Sequence, residues 1–433
     1  MSSSARHLEA QVVVGLTPVD LVSDLGERGP GGVALVASDG HQLWLDRAIL
    51  DRHVLVAGAT GSGKTTILID LLLQLRDGLG EDDALVIFDT KGDYEDLLYR
   101  DGDIVIGRQS RAAMSWNLIE DLLADGEDEF EDNVEEVAAA VFSSSLEKTG
   151  QRFFPLAAQQ VFSQVLVADH ASTPSAITDN AMLRRWWSAP TAERVTRLLG
   201  DSRAAAFLTD DPRSQQSQGV LAEATAAVGS VFRGVFAQPG GLSLRRHLRE
   251  RRGRAIFVHY NLGFGDRLGD AYSLVVDLLL KEAIAGQPRG RVWFVLDELR
   301  LLPKLHHLDN AVNFGRGRGL DFVVGIQNVD QLNAAYGEHV ARGMLSAFGT
   351  LIVMRLGDYE TRNYVQQRLG RNRMMLRGPA AVQAAEQRVV EQFETGNVLE
   401  DWEFGRLEPP GSAFVSVLGR APIFMRFRAR TRQ

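Results

Sequence analysis

The sequence predicts an α/β protein in which a mostly parallel sheet with helices on both faces is interrupted by an all-helical inserted domain. Three observations carry this prediction. A glycine-rich loop at residues 58–65 follows a short apolar run and precedes an apolar helical pattern. From residue 255 onward, apolar runs typical of buried strands alternate with helical patterns. Between residues 117 and 250 the apolar spacing is helical.

The elements predict an order of domains along the chain. The first 50 residues alternate short apolar runs with Gly/Pro turns, which predicts strands at Val33–Val36 and Gln42–Leu45. A last pair of apolar runs, beginning at residues 413 and 423, predicts a hairpin at the edge of the sheet. The predicted domains are a small β-rich segment (1–50), a nucleotide-binding domain in two pieces (51–116 and 251–433) and an all-α insertion (117–250).

Composition excludes several classes of protein. At 45% hydrophobic and 24% charged residues, the 433-residue chain is typical of a globular protein. No apolar run approaches the ~18 residues of a membrane helix. With no signal-like segment at the N-terminus and no cysteine, we expect a cytoplasmic protein without disulfides or thiolate metal sites.

Charge is unevenly distributed along the chain. A formal net charge of −9 argues against a protein that coats nucleic acid over its whole surface, but it allows a local basic channel. An acidic stretch covers residues 119–136, and basic clusters lie at 245–254, 362–377 and 426–432. Because such runs usually mark solvated faces, each of them alone is weak evidence for a binding surface.

The glycine-rich loop carries the strongest functional signal. Residues 58–65, the phosphate loop, read Gly-Ala-Thr-Gly-Ser-Gly-Lys-Thr and fit G-x-x-x-x-G-K-[ST] at every fixed position. Backbone N–H groups of such a loop surround the β-phosphate, Lys64 reaches the β- and γ-phosphates, and the Thr65 hydroxyl can ligate Mg²⁺. The sequence therefore predicts a nucleoside triphosphate site with Mg²⁺. The residues expected to hold the nucleotide are Gly58, Ala59, Thr60, Gly61, Ser62, Gly63, Lys64, Thr65 and Thr66.

Two carboxylates follow a later buried strand. The apolar run Val292–Leu296 ends in Asp297 and Glu298. An Asp at such a strand end can hold the Mg²⁺ shell, and the Glu after it can polarise the attacking water. This pair predicts hydrolysis of the nucleotide rather than a kinase-like transfer. The simpler interpretation, a solvated acidic turn, becomes less favoured when the phosphate loop is intact.

Two further segments add candidate residues for the reaction. A buried strand is expected to end at Gln327, whose amide could sense the γ-phosphate or orient water. Before that strand, Arg316 and Arg318 lie among glycines, which suits a finger that reaches into a neighbouring subunit's nucleotide site. Taken alone, Gln327 would be an ordinary loop residue and the arginines a basic surface turn.

Together these motifs resemble the coupling ATPases of type IV secretion and conjugation, the TraD/TrwB kind, within the wider HerA/FtsK group of hexameric DNA pumps. The matching segments run in the family's order from about residue 50 to 370. They are the phosphate loop, Phe88-Asp89-Thr90-Lys91-Gly92-Asp93, Trp116-Asn117-Leu118-Ile119, Val295-Leu296-Asp297-Glu298-Leu299 with Leu302-Pro303, Gly315-Arg316 with Gly319-Leu320, and Gly325-Ile326-Gln327-Asn328 with Gln331-Leu332 and Tyr336-Gly337.

The resemblance implies a RecA-like fold and an ATP-driven homo-hexamer that moves DNA through a central pore. It places Lys64, Thr65, Asp297, Glu298 and Gln327 in each site. It makes Arg316 the finger that acts in trans, with Arg355 as a weaker second candidate, and leaves Lys91 open between the nucleotide region and the pore. The preference for ATP over GTP comes from the resemblance alone, and the strandedness of the DNA stays open.

This chain departs from the family in showing no membrane helix among its 433 residues. A separate partner could recruit it to the inner face of the membrane, and a relaxase or a secretion-channel protein are the partners that the resemblance suggests. Two alternatives stay open. One is a HerA-like pump of repair or defence that acts with a partner nuclease. The other is an ATP-regulated adaptor that recruits a protein cargo to a secretion system through its acidic stretch.

Overall fold

The computed structural model describes residues 9–108, 115–209, 211, 214–287, 289–302, 305–379 and 389–427. The chain divides into two compact units, unit 1 (Met1–Gly78 and Asp321–Gln433) and unit 2 (Leu79–Leu320). The domain boundaries proposed above stay a prediction, although the whole segment 117–250 falls within unit 2. No helix of the described ranges is both long and apolar enough to cross a membrane.

Unit 1 begins with short strands and one long helix. In chain order these are β1 (Glu9–Val14), β2 (Val19–Asp20), β3 (Val33–Val36), β4 (Gln42–Leu45), α1 (Arg47–Leu50), β5 (Val54–Ala57) and α2 (Lys64–Asp77). β3 and β4 are the two strands predicted near the N-terminus, and they pair antiparallel. All four residues of β5 are buried, as expected for an apolar strand inside a parallel sheet.

Unit 2 contains a parallel sheet and a block of helices. In chain order its elements are β6 (Ala84–Asp89), α3 (Asp93–Leu98), β7 (Ile104–Ile106), α4 (Leu118–Leu122), α5 (Phe130–Lys148), α6 (Phe153–His170), α7 (Asn180–Trp187), α8 (Ala192–Leu199), α9 (Gln215–Val231), α10 (Leu244–Glu250), β8 (Arg254–His259), α11 (Gly265–Ala285), β9 (Val292–Leu296) and α12 (Leu308–Phe314). The strands are parallel and lie in the order β9-β6-β8-β7. β6 and β9 are buried at every position, which is the pattern of strands covered on both faces.

The predicted helical block is confirmed as α4 to α10. Where the chain enters and leaves this block, Trp116 and Leu242 form an isolated bridge, and the Asn117 N–H donates to the Leu242 carbonyl at 2.9 Å. Inside the block, the ring of Phe162 lies 5.7 Å from that of Phe142 and 5.8 Å from that of Trp187. These fully buried aromatic side chains give the block a core of its own.

Ion pairs connect the helical block to the helix that follows β8. Arg245 of α10 is buried and contacts Asp125 at 2.6 Å and Glu282 of α11 at 3.1 Å. Arg249 pairs with the same two carboxylates. Burial alone would raise the pKa of Asp125, but hydrogen bonds from the two guanidinium groups outweigh it and lower this pKa to about 2. Part of the acidic stretch and part of the first basic cluster therefore neutralise each other inside unit 2.

A second connection runs through His307, which precedes α12. Its Nδ1 lies 2.9 Å from Asp277 of α11, and its Nε2 lies 3.2 Å from Glu136 of α5. Hydrogen bonds to Asp277 and then Glu136 raise the pKa of His307 to about 9, although burial opposes this. Lys281 of α11 also pairs with Glu136. The chain after β9 is thereby held to the helical block by charge.

The rest of unit 1 completes its sheet. The elements are β10 (Leu320–Ile326), α13 (Asp330–Tyr336), α14 (Glu338–Ala347), β11 (Thr350–Val353), α15 (Tyr359–Leu369), β12 (Arg371–Pro379), β13 (Val389–Asn397), β14 (Ser412–Val417) and β15 (Ile423–Arg426). In unit 1 the strand order is β2-β15-β14-β11-β5-β10, with β10, β5 and β11 parallel. The predicted hairpin is β14 and β15, but it is not at the edge because β2 pairs with β15 in parallel.

Unit 1 also contains a sheet that the sequence did not predict. β12 pairs antiparallel with both β1 and β13, and Glu9 of β1 lies opposite Arg377 of β12. Because β1 and β12 come from distant parts of the chain, neither turn residues nor local periodicity can predict their pairing.

Candidate active site

Three neighbouring strands of unit 1 end at the same level. β5 lies between β10 and β11, and Ala57 is in register with Ile326 on one side and with Val353 on the other. The residues that follow these strands therefore share one edge of the sheet. They are the phosphate loop after β5, Gln327 after β10 and the segment containing Arg355 after β11. The half-buried Gln327 thus lies beside the loop. The residue before it, Ile326, accepts a hydrogen bond of 3.1 Å from the N–H of Gly58, the first residue of the loop.

Glycine is required at three positions of the phosphate loop. A Cβ on Gly58 would lie 2.7 Å from the Ser62 hydroxyl oxygen and 3.0 Å from the Cβ of Met354. Gly61 and Gly63 adopt positive φ angles of 76° and 105°, which side chains rarely tolerate. The middle of the loop faces solvent, whereas its two ends are buried or half-buried.

The helix that follows the loop begins at Lys64, with Gly63 as its N-cap and no side-chain cap. The first N–H groups of a helix have no intrahelical partner and carry a partial positive charge. The buried ammonium of Lys64 donates to the Gly58 carbonyl, so the lysine folds back over its own loop. Thr65 and Thr66 are half-buried in the first turn. Together these groups form a cradle that suits an anion such as phosphate.

The acidic pair lies in unit 2 at the end of β9. Asp297 is buried, and its Oδ2 accepts a hydrogen bond of 2.7 Å from the hydroxyl of Tyr94. Burial, and then the negative charge of Asp297, raise the pKa of Tyr94 well above its usual value, so the hydroxyl stays a donor. Glu298 is more accessible, with a side chain 15% exposed, and pairs with Arg300 at 2.9 Å. The carboxylate of Asp297 is thus held by a hydrogen bond, whereas that of Glu298 is accessible to water.

The turn after β6 explains how Tyr94 reaches Asp297. The carboxylate of Asp89 is fully buried and accepts hydrogen bonds from the N–H groups of Lys91, Gly92 and Glu95. These bonds start α3, on which Tyr94 lies, while the side chain of Lys91 remains exposed. Sequence reasoning missed Tyr94, although it follows directly after the Asp-x-Lys-Gly-acidic turn on which the family resemblance partly rests.

The two arginines before β10 are in unit 2, in a short 3-10 helix at Gly315–Arg318. Arg316 and Arg318 are both exposed. Across the described ranges, no ion pair or side-chain hydrogen bond engages either guanidinium group. Each arginine is therefore accessible to a molecule outside this chain, as a finger would need to be. The role of Arg316 in trans stays a prediction.

The metal ligands predicted from the sequence are Thr65 in unit 1 and Asp297 in unit 2. No group of three or more His, Asp or Glu side chains in the described ranges could hold a metal ion by itself. A hydroxyl and one carboxylate are nevertheless the oxygen ligands that Mg²⁺ takes when phosphates and water complete its shell. Each residue thus carries an oxygen of a kind that suits Mg²⁺, and their joint use of one ion stays a prediction.

Comparison with known proteins identifies one family model that matches this chain, and several solved structures that share its fold. The family model of the type IV secretion-system coupling protein DNA-binding domain matches residues 43–395. The VirD4 protein of Rhizobium rhizogenes is 27% identical over 156 residues, which are 36% of this chain and 23% of that relative. The match thus spans about a quarter of the length of this curated relative.

Solved structures share the fold over nearly the whole chain. The bacterial conjugative coupling protein TrwBΔN70 with sulphate is 22% identical, with a TM-score of 0.76 over 99% of this chain and 96% of that one. The plasmid coupling protein TrwB with ADP and Mg²⁺ is 20% identical, with a TM-score of 0.74 over 99% and 97%. VirB4 of Thermoanaerobacter pseudethanolicus is 14% identical, with a TM-score of 0.60 over 94% and 98%. The predicted α/β fold with a phosphate loop is confirmed.

Proposed function

This chain belongs to the family of type IV secretion-system coupling proteins, and we propose that it hydrolyses ATP to move DNA through a ring of six identical subunits. The observation that carries the proposal is the edge formed by β10, β5 and β11. There the glycine cradle and the ammonium of Lys64 follow β5, and Gln327 follows the neighbouring strand β10. A phosphate group fits this arrangement, since it offers oxygens to both the backbone N–H groups and the lysine.

ATP with Mg²⁺ is the cofactor that this site suits. Lys64 would bind the β- and γ-phosphates, and Thr65 and Asp297 would hold the metal. When bound, Mg²⁺ neutralises negative charge that develops on the phosphate oxygens. The proposal is supported by the structures of the related TrwB, which have been solved with ADP and Mg²⁺ and with a non-hydrolysable ATP analogue.

Hydrolysis would depend on three further residues. Glu298 would polarise the attacking water, which its partial exposure permits. Gln327 would sense the γ-phosphate or orient that water from its place beside the phosphate loop. Arg316, exposed on its 3-10 helix, would stabilise the transition state in the neighbouring subunit, an effect worth about 10³–10⁵ in rate where it operates.

Movement of DNA needs contacts with phosphates and no reading of bases. With a net charge of −9, the chain would bind DNA through a local basic surface, so binding should weaken steeply as salt increases. The basic cluster at 245–254 is a poor candidate for this surface because Arg245, Arg246 and Arg249 are all paired with carboxylates. A relaxase or a secretion-channel protein would then be the partner that delivers DNA or recruits the motor to the membrane.

The same ion pairs reduce the acidic surface on which the cargo-adaptor alternative relies, but they do not remove it. That alternative used the acidic stretch at 119–136 and exposed helical faces for docking. Glu120, Asp125 and Glu136 are each paired within unit 2, whereas the acidic residues between 127 and 132 remain exposed.

The test is ATP hydrolysis by the purified protein with and without single-stranded and double-stranded DNA, at several salt concentrations. Stimulation by DNA that falls with salt and is lost in Lys64→Ala and Glu298→Gln would support the motor and show which strand form engages it. Hydrolysis that is indifferent to DNA at protein concentrations permitting ring assembly would contradict it.

A further inference from the structure

Arg355 is held against the phosphate loop by its backbone. It lies two residues beyond the end of β11, and Val353 of that strand is in register with Ala57. The Arg355 carbonyl accepts a hydrogen bond of 2.7 Å from the N–H of Ala59, the second residue of the loop. The start of this side chain is therefore fixed relative to the loop.

The guanidinium of Arg355 also lies on the loop. Its Nη2 donates to the Thr60 carbonyl at 3.0 Å, and a Cβ built on Gly61 would be 3.7 Å from the same nitrogen. Thr60 and Gly61 are exposed, so this contact is on the open side of the loop. Within the described ranges no carboxylate pairs with Arg355. A guanidinium has five N–H donors, and a single carbonyl leaves most of them available.

Two cations thus contact carbonyl oxygens of one glycine cradle. The ammonium of Lys64 donates to Gly58 and the guanidinium of Arg355 donates to Thr60. A phosphate oxygen is a much stronger acceptor for either cation than a neutral carbonyl, because both partners of the bond are then charged. Exchange of its carbonyl for a phosphate oxygen would therefore be favourable for each cation.

We infer that Arg355 binds the β- or γ-phosphate of the nucleotide held by its own chain, and so acts in cis beside Lys64. The alternative expected from the sequence was a finger acting in trans, which would have to leave Thr60 and reach another subunit. The half-buried Arg355 would then act within its own chain, and the exposed Arg316 would act between chains. Arg355 can act this way only if the loop binds a nucleotide, so its role rests on the proposed function.

The first test is nucleotide binding at protein concentrations where the chain is monomeric, verified by light scattering. Arg355→Ala should weaken binding of the non-hydrolysable analogue ADPNP with Mg²⁺ by about 10-fold to 100-fold, the range for loss of a hydrogen bond to a charged group. Arg355→Lys should recover part of this loss. Arg316→Ala is the matched control and should bind ADPNP like the wild type, since a residue that acts in trans contributes nothing in a monomer.

Subunit mixing supplies a second measurement that does not need a monomer. An assembly of Lys64→Ala and Arg316→Ala chains should regain hydrolysis, because an intact loop in one chain can meet an intact finger from the other. An assembly of Lys64→Ala and Arg355→Ala chains should stay inactive, because each chain then carries a defect in its own site. Regained hydrolysis in this second mixture would overturn the role in cis.

The failures of the two proposals are distinguishable. Wild-type protein that binds no ADPNP, or Lys64→Ala that binds it equally well, would overturn the proposed function and this role with it. Wild-type binding that is lost in Lys64→Ala but unchanged in Arg355→Ala would overturn only the role of Arg355. Equal unfolding temperatures of wild type and Arg355→Ala without nucleotide exclude misfolding as the cause of weaker binding. If Arg355→Ala is unstable, the binding of ADPNP to Arg355→Lys is compared with that of the wild type instead.

Discussion

Replacing Tyr94 with phenylalanine removes one hydroxyl oxygen and leaves a buried ring of the same shape. In the wild type, that hydroxyl donates at 2.7 Å to a carboxylate oxygen of Asp297, and the tyrosine is 1% exposed. Water can hardly replace the lost donor at such a site. A hydrogen bond to a charged group contributes about 1.5–3 kcal/mol, so Tyr94→Phe should lower the free energy of unfolding of unit 2 by that amount.

The same substitution should also change the Mg²⁺ concentration that ATP hydrolysis requires. Groups that orient a metal ligand typically account for about 10-fold to 100-fold in metal affinity or activity. If Asp297 holds Mg²⁺, the Mg²⁺ concentration for half-maximal ATP hydrolysis should therefore increase by at least about 10-fold in Tyr94→Phe. Titration of hydrolysis with Mg²⁺, together with urea denaturation, measures both effects on one preparation.

Tyr272→Phe is the matched control. Tyr272 is also fully buried, but its hydroxyl donates to the backbone carbonyl of His259 at 3.0 Å and accepts from the N–H of Asn261 at 3.3 Å, with no contact to Asp297. Loss of these two neutral hydrogen bonds should cost about 1–3 kcal/mol of stability and leave the Mg²⁺ dependence unchanged. If Tyr94→Phe, like Tyr272→Phe, leaves the Mg²⁺ dependence unchanged, the hydroxyl of Tyr94 does not position Asp297 and the reasoning is refuted.

Three further predictions concern the loop and the ion pairs. Gly58→Ala should weaken ADPNP binding by about 10-fold, because the added Cβ would lie 2.7 Å from a side-chain oxygen of the loop, whereas Gly343→Ala, with no atom within 4 Å of its Cβ, should bind like the wild type in the same titration. His307 has a pKa raised to about 9 by hydrogen bonds to Asp277 and then Glu136, so its contribution of up to about 3 kcal/mol is complete below pH 6.5 and lost as pH rises through 9. Urea denaturation of the wild type and His307→Gln across this range should show their stabilities converging, and a constant difference would contradict the assignment. Arg245→Ala should cost about 1.5–3 kcal/mol in the same assay because the buried Glu282 loses one of its two guanidinium partners and keeps only Arg249, and a loss below about 1 kcal/mol would show that the Arg245 pair contributes little.

Local chemistry explains how much of the site could be predicted. The glycines of the phosphate loop encode positive φ angles, which Gly61 and Gly63 indeed adopt. Apolar runs encode buried parallel strands, and β5 and β9 lie where such runs occur. Since polar residues at the carboxyl ends of parallel strands gather at one edge, the sequence predicts Gln327 at the carboxyl end of the sheet, whereas its place beside the phosphate loop is known only from the pairing of β10 with β5. The joint role of Lys64 and Asp297 in one reaction stays a prediction.

Contacts between distant segments could not be predicted in this way. Tyr94 and Asp297 are 203 residues apart, and Arg355 and Thr60 are 295 residues apart. The hairpin of β14 and β15 could be recognised, but the two-residue strand β2 that covers it is too short to leave a pattern. Runs of acidic and basic residues are typical of solvated faces, yet Arg245 is buried between carboxylates.

The amino-acid sequence by itself determined which segments form strands and helices, where the phosphate loop lies and which residue types end the strands. These features depend on backbone conformation and periodicity within a few neighbouring residues. Only the tertiary structure decided that Tyr94 holds Asp297, that part of the acidic stretch pairs with part of the first basic cluster within unit 2 and that Arg355 lies on its own loop. Such contacts depend on how strands align and pack, and packing is a property of the whole folded unit that no short stretch of sequence contains.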